Sequence, residues 1–385
     1  MLPYGRQSIS QADIDAVVAA LRSDWLTQGP AIEEFEQAVA RYCGVKYAVA
    51  VCNGTAALHL AALALGLKPG GRLWTSPVTF VASANCARYC GADVDFVDIN
   101  PRTCNLDVNQ LETKLKQAAQ TGHLPKVVVP VHLAGQSCEM EAIGALAREY
   151  GFAVMEDAAH AIGGSYQNQP VGSCRWSDLA IFSFHPVKII TTAEGGMIVT
   201  HRQDLYEHLL RLRTHGITRD PKWMTEPPHG PWYYQQIELG FNYRITDLQS
   251  VLGLSQLRRM DQFVARRRHL ARRYEQLLRD LPVELPWQHP DSNSSWHLYL
   301  IRLQLDRLKK SHRQVFEAMR AAGIGVNLHY IPVHLQPFYQ NLGFKKGDFP
   351  ESEKYYGEAL SLPLYYDLTE DQQDQVVAAL RKSQG

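Results

Sequence analysis

The chain has 385 residues, 45% of them apolar and 20% charged, the composition of a globular protein long enough for one large domain and a smaller one. Its 39 Lys and Arg balance 39 Asp and Glu, so no surplus of positive charge is available for a nucleic-acid backbone or an anionic membrane surface. Apolar runs such as Ala56 to Leu67 are too short to span a bilayer, and the N-terminus lacks the pattern of an export signal, so a cytoplasmic protein without membrane attachment is expected.

In chain order, Ser10 followed by Asp13 caps an amphipathic helix with Ile14, Val17, Val18 and Leu21 at helical spacing. A second helix runs through Ile32, Phe35, Val39 and Tyr42. From there to about residue 200, short apolar runs at 47–51, 93–98, 126–131, 152–156 and 179–184 alternate with helical patterns, which indicates a mainly parallel sheet covered on both faces, an α/β fold. The segment from Arg219 to Gly240, with four prolines and several aromatics, is expected to form a long ordered loop over a site. Ile245 opens one long connecting helix whose later turns are crowded with Arg and expected to be solvated on one side. Beyond Pro286, strands at 296–303 and near Val326, a helix near 311–322 and a capped helix from Thr369 make a smaller α+β domain. The division expected is a large domain over 1–245, with the N-terminal segment, and a connecting helix with a small domain over 246–385. Seven cysteines without a CxxC pair or nearby His pairs read as buried thiols rather than disulfides or a metal site.

In an open parallel sheet, ligands bind at the carboxyl ends of the strands. The run at 47–51 is followed by Asn53-Gly54-Thr55-Ala56 at the start of a helix, which is either a phosphate site built from a hydroxyl and free amides or a turn with a helix cap. The run at 152–156 is followed by Asp157 and His160; a carboxylate there is either a helix cap or the partner of a protonated pyridine nitrogen. After 179–184 comes Lys188, the single lysine between Val127 and Pro221, either snorkelling or chemically used. Desolvation would lower its pKa toward neutrality, as attack on a carbonyl requires. Phe80 follows the short strand at 73–75 and is either core or a stacking platform. The conjunction of these four in one chain order favours the chemical reading.

The ordered motifs LTQGP (26–30), NGTAAL (53–58), TSPVTFVASAN (75–85), EDAAHAIG (156–163), FSFHPVKIITTAEGG (182–196), RTHG (213–216), GFNYRITDLQSVLGLSQL (240–257) and HYIPVHLQPFY (329–339) resemble the DegT/DnrJ-type sugar aminotransferases over nearly the whole chain. The resemblance implies the aspartate-aminotransferase (type I) fold and pyridoxal 5'-phosphate as cofactor, with pyridoxamine phosphate as intermediate. It implies that Lys188 forms the Schiff base, that Asp157 pairs with the pyridine nitrogen and that Phe80 stacks on the ring. Thr55, the amide of Ala56 and Ser183 would hold the phosphate, and His160, where many relatives have Gln, would lie near the ring hydroxyl. Asn242 would reach the phosphate of a neighbouring subunit, which implies a homodimer with shared active sites. Similarity is greatest to members acting in pseudaminic-acid synthesis. That implies L-glutamate as donor, C4 of a UDP-linked 2-acetamido-2,6-dideoxy-4-keto-hexose as acceptor, and Tyr4, Trp25, Thr27, His329, Tyr330, Ile331 and Pro332 as substrate contacts. Alternatives are another keto-sugar linked to dTDP, GDP or UDP, a non-catalytic member of the fold, or an enzyme of free amino acids.

Overall fold

The computed structural model describes residues 1–384. Seven strands, β1 (Tyr47–Val51), β2 (Arg72–Thr75), β3 (Asp93–Phe96), β4 (Val127–Val129), β5 (Ala153–Asp157), β6 (Leu179–Ser183) and β7 (Gly196–Thr200), form one sheet in the order β1-β7-β6-β5-β4-β2-β3. Strands β3, β2, β4, β5 and β6 are parallel, and β7 runs against both β6 and β1. The strands expected between residues 47 and 184 all form. Their continuous apolar character follows from burial on both faces: α3 (Gly54–Ala64), α4 (Ala82–Tyr89) and α7 (Gln203–Arg213) cover one side, and α2 (Pro30–Cys43), α5 (Val108–Thr121) and α6 (Met140–Tyr150) the other.

Two expectations about the helices need correction. Helix α1 (Gln11–Leu21) has the Ser10–Asp13 capping box, but Ile14, Val18 and Leu21 face outward, while Asp13 and Ala20 are buried against α8 (Asp247–Leu257). The buried Asp13 accepts bonds from Ser255, Gln256 and Arg259, so a carboxylate rather than an apolar stripe fixes this helix. The stretch after Ile245 is two helices, α8 and α9 (Met260–Leu278); the break falls at Arg258 and Arg259, where the Arg259 guanidinium turns back to Asp13 and the Ser8 carbonyl. The Arg-rich part is solvated on one side, as expected, and its buried face includes an arginine. Arg267 is fully buried and donates from Nη1 to the carbonyls of Trp296, His297 and Leu364 at 2.9–3.2 Å, and burial draws its guanidinium down to about 10. Arg267→Met should lower the unfolding free energy by about 3 kcal/mol in a urea titration, because three buried acceptors lose their donor. An unchanged midpoint would mean that those carbonyls find other partners.

The C-terminal part packs a three-stranded antiparallel sheet, β8 (Val283–Glu284), β9 (Tyr299–Leu303) and β10 (Ala359–Leu362), against α9, α10 (His312–Ala321) and α12 (Glu370–Gln384). The strand expected near Val326 is reduced to single bridges, Leu2 with Ile324 and Asn327 with Ser361. These bridges tie the N-terminal residues to the segment at 324–327, and that segment to β10 of the small sheet. Helix α11 (Pro350–Glu358) is capped from the main sheet by Asp98, which accepts from Ser352 Oγ at 2.6 Å and from two amides. It holds the 327–335 segment through Tyr355, whose hydroxyl donates to the His329 carbonyl, and through Glu353, paired with His334. All seven cysteines are free, and no helix of the described residues is long and apolar enough to cross a membrane.

Candidate active site

The carboxyl ends of β1, β2, β5 and β6 and the 327–330 segment surround a cavity of about 580 Å³. After β1, Asn53 adopts an extended conformation and its Oδ1 accepts from the Ala56 amide at 2.8 Å, which starts α3. Gly54 and Thr55 then line the cavity at the helix N-terminus, where backbone donors favour an anion. A Cβ on Gly54 would stand 3.0 Å from the Ser183 Cβ, so glycine is what allows the end of β6 to close against this terminus and bring Ser183 beside Thr55.

After β2, Phe80 is 57% exposed on the cavity wall, an apolar ring left for a flat ligand rather than core. One helical turn on, Ser83 donates to Asp157 Oδ2 at 2.6 Å and itself receives a bond from Thr79 Oγ1 at 2.7 Å. Asp157 Oδ1 accepts from the Ala159 amide. These neutral donors orient the carboxylate without cancelling its charge, and a buried carboxylate in that state is best completed by a cation.

After β6, Thr191 and Thr192 tie the loop back to Phe184 and Glu194, which fixes Lys188 on the cavity floor. Lys188 is half-buried and lines the cavity. Burial pulls its ammonium down to about 8, against the opposing attraction of Asp157. Because only the free amine attacks an aldehyde, the sign is fixed: capture should rise about tenfold per pH unit up to the pKa and level off above it. At about pH 7 roughly a tenth of Lys188 is then free, some ~300-fold more than for an exposed lysine. Borohydride trapping of pyridoxal phosphate on Lys188 across pH checks this, and an inflection at an ordinary lysine's value would contradict it.

On the opposite wall, His160 Nδ1 accepts from the Ala134 amide, so its proton lies on Nε2 and is directed to the Tyr330 hydroxyl at 3.1 Å. Burial, then Lys188 and His329, keep His160 uncharged. His329 accepts at Nε2 from Asn327 and donates from Nδ1 to Ser361, and burial beside Lys188 pulls it down to about 4.

Of the residues singled out in the sequence, Tyr4, Thr55, Phe80, Asp157, His160, Ser183, Lys188, His329 and Tyr330 line this one cavity. Ala56 does not, because its amide is already bonded to Asn53. Trp25 and Thr27 lie on an exposed segment, with Trp25 in a separate groove between α1 and α8. Asn242 is exposed and bridged to Thr214, Ile331 is exposed and Pro332 is buried; none of the three lines the cavity. The 219–240 segment does not cover it either, running instead as an exposed arm after the ribbon of Ile217–Thr218 with Gln235–Gln236, with Trp232 73% exposed. Asn53, read in the sequence as part of a phosphate loop or a helix cap, also lines the cavity, and Ser83, Glu194, His297 and Asn327 line it without having been singled out. A signal existed for Ser83, a hydroxyl one turn after Phe80, but His297 was hidden in an apolar strand pattern.

A lysine with a lowered pKa, a charged carboxylate held by neutral donors, a bare aromatic face and a helix N-terminus beside two hydroxyls define the site of a pyridoxal-phosphate enzyme of aminotransferase type. These residues fit the aldehyde, ring nitrogen, ring face and phosphate of that cofactor. The chain belongs to the DegT/DnrJ/EryC1/StrS aminotransferase family, whose profile matches residues 7–381, and is a pyridoxal-phosphate-dependent sugar aminotransferase. It is 39% identical over 383 residues to the spore coat polysaccharide biosynthesis protein SpsC of Bacillus subtilis, covering 99% of this chain and 96% of that protein. It is 37% identical over 370 residues to the UDP-4-amino-4,6-dideoxy-N-acetyl-beta-L-altrosamine transaminase of Campylobacter jejuni, covering 96% and 93%. Among solved structures, Helicobacter pylori PseC, an aminotransferase of pseudoaminic acid biosynthesis, superposes with a TM-score of 0.90 at 29% identity over 100% of this chain and 99% of that one.

Proposed function

We propose that this protein transfers the amino group of L-glutamate to C4 of a UDP-linked 2-acetamido-2,6-dideoxy-4-keto-hexose. The observation that carries the proposal is one cavity in which a deprotonatable lysine, Lys188, and a buried carboxylate, Asp157, flank a space walled by Phe80. Its size leaves room for a sugar beside the cofactor, and the Campylobacter transaminase supports the UDP-linked acceptor. Bound pyridoxal phosphate supplies an aldehyde and an electron-withdrawing ring that stabilises negative charge at the reacting carbon.

The chain does the rest. Gly54 and Thr55 amides with the Thr55 and Ser183 hydroxyls hold the phosphate, and Phe80 covers one ring face. Asp157, aimed by Ser83 and Ala159, keeps the ring nitrogen protonated, while the uncharged His160 stands near the ring hydroxyl. Lys188, once free, takes the proton from the α-carbon of glutamate and returns one to the cofactor side; in the second half-reaction it moves protons the opposite way. Ping-pong kinetics follow. Tyr4, His329 and Tyr330 are assigned to the sugar.

Trp25, Thr27, Ile331 and Pro332 are assigned to the outer part of the same site, and Asn242 to the phosphate of a second copy in a homodimer. Support for that dimer is the outward apolar face of α1, continued by Trp25 and Leu26, which has nothing to cover it within one chain. We infer the same two domains, 1–245 and 246–385, with residues 2–4 docked on the second, and a cytoplasmic location. Assay of UDP-linked against dTDP-linked 4-keto-6-deoxy sugars tests the acceptor: kcat/KM should be at least about tenfold higher for the UDP-linked N-acetylated sugar. Equal or reversed rates would overturn that assignment.

A further inference from the structure

His297 lines the cavity beside Lys188 and is 3% exposed, yet its Nδ1 has no hydrogen-bond partner. Its Nε2 makes no bond among the described residues either and, unlike Nδ1, is not enclosed, which leaves it as the nitrogen available to the cavity. The ring lies 4.4 Å from that of His160, centroid to centroid, and its backbone carbonyl is gripped by the buried Arg267 at 3.0 Å. The side chain is therefore held in place from behind and unpartnered in front. An otherwise buried imidazole with no partner on the nitrogen that meets the cavity has that nitrogen available to a ligand.

We propose that His297 is a substrate-binding residue whose Nε2–H donates to a hydroxyl or carbonyl oxygen of the keto-sugar. The proposal rests on the sugar-aminotransferase reading above. The tautomer follows from the surroundings: an unpaired lone pair at the enclosed Nδ1 costs less than an unpaired N–H, so the proton belongs on the nitrogen that faces the ligand. Burial first, then His160 and Lys188, hold the ring far below the ordinary histidine range and hence uncharged. That fixes the ligand class. A carboxylate such as that of the amino donor is best met by a cation, whereas a neutral N–H suits the uncharged oxygens of a sugar. His160, His297 and His329 share this wall, but among the described residues no group of three or more His, Cys, Asp or Glu is arranged to hold a metal ion.

The two half-reactions separate the sugar from the amino donor. In His297→Phe, loss of the cofactor's visible band on adding L-glutamate should proceed within about twofold of the unchanged protein, because no bond to glutamate is lost. The KM for the UDP-linked 4-keto-6-deoxy-N-acetylhexosamine should rise about tenfold, the loss of one neutral hydrogen bond. His297→Gln, whose amide nitrogen can occupy the Nε2 position, should recover most of the loss, and His297→Asn, which reaches only the Nδ1 position, should not. Calorimetric binding of the same sugar to Lys188→Ala protein, with and without His297→Phe, should weaken by the same factor, independently of turnover. Equal loss in both half-reactions, recovery by Asn rather than Gln, or unchanged sugar binding would overturn the proposal. If the unchanged protein aminates no nucleotide-linked keto-sugar, the underlying reading fails first, and that result is distinct from any variant effect.

Discussion

Lys188→Ala should lower kcat by on the order of 10⁴-fold or more while leaving the fold intact. On the proposed reaction the lysine is both the anchor for the cofactor and the base that moves the proton, two tasks that no second group in the cavity can take over together. His160 and His329 are engaged through both ring nitrogens, and His297, although its side chain makes no hydrogen bond, has no amine with which to form the Schiff base. The stability of the variant should be equal to or slightly above that of the parent. A lysine pulled from its ordinary value to about 8 is stabilised more when unfolded and charged than when folded, and its removal relieves that cost. Steady-state transamination and a thermal melt check both halves. Activity within tenfold of the parent would refute the assignment of Lys188.

The second large effect is expected at Asp157. Asp157→Asn keeps the shape and an acceptor for Ser83 but removes the charge, and kcat should fall about 10³-fold as the ring nitrogen loses its anionic partner. Ser83→Ala, which leaves the charge and loses one orienting bond of 2.6 Å, should cost only about tenfold. This ordering separates an electrostatic role from a positional one. If the two variants were equally impaired, orientation rather than charge would be what the carboxylate supplies. Rapid-scan spectra of the glutamate half-reaction give both rates.

The sheet was legible because parallel strands buried on both faces are written as unbroken apolar runs, and β1, β3, β4, β5 and β6 fall on the expected segments. The centre of the site was legible for a related reason. Ligand groups sit at strand ends, and Asp157 and Lys188 stand out there as charged residues in apolar surroundings. The family resemblance then suggested the roles proposed for them. What was not legible depends on partners distant in the chain. The apolar stripe of α1 predicts an inward face, but the buried Asp13 network with α8 and α9 turns it outward. Arg267 looks like any member of an Arg-rich helix, and only the fold brings three carbonyls to it. The Ala56 amide donates to the Asn53 side chain instead of staying free for a ligand, a local choice that residue types alone do not decide. His297 has an imidazole in a strand whose other members are core, and its open nitrogen appears only once the cavity is assembled.

The central claim is that one site built around Lys188 carries an amino group from glutamate to a nucleotide-linked keto-sugar. The most direct measurement follows the visible spectrum of the protein loaded with pyridoxal phosphate on addition of L-glutamate, then of the UDP-linked 4-keto-6-deoxy-N-acetylhexosamine, with mass spectrometry of the sugar. The account predicts that glutamate removes the visible band, that the sugar restores it, and that the recovered sugar carries an amine in place of its ketone, with all three absent in Lys188→Ala. A band that glutamate bleaches but the sugar does not restore would contradict the acceptor, and a spectrum that glutamate leaves unchanged would contradict the donor half of the reaction.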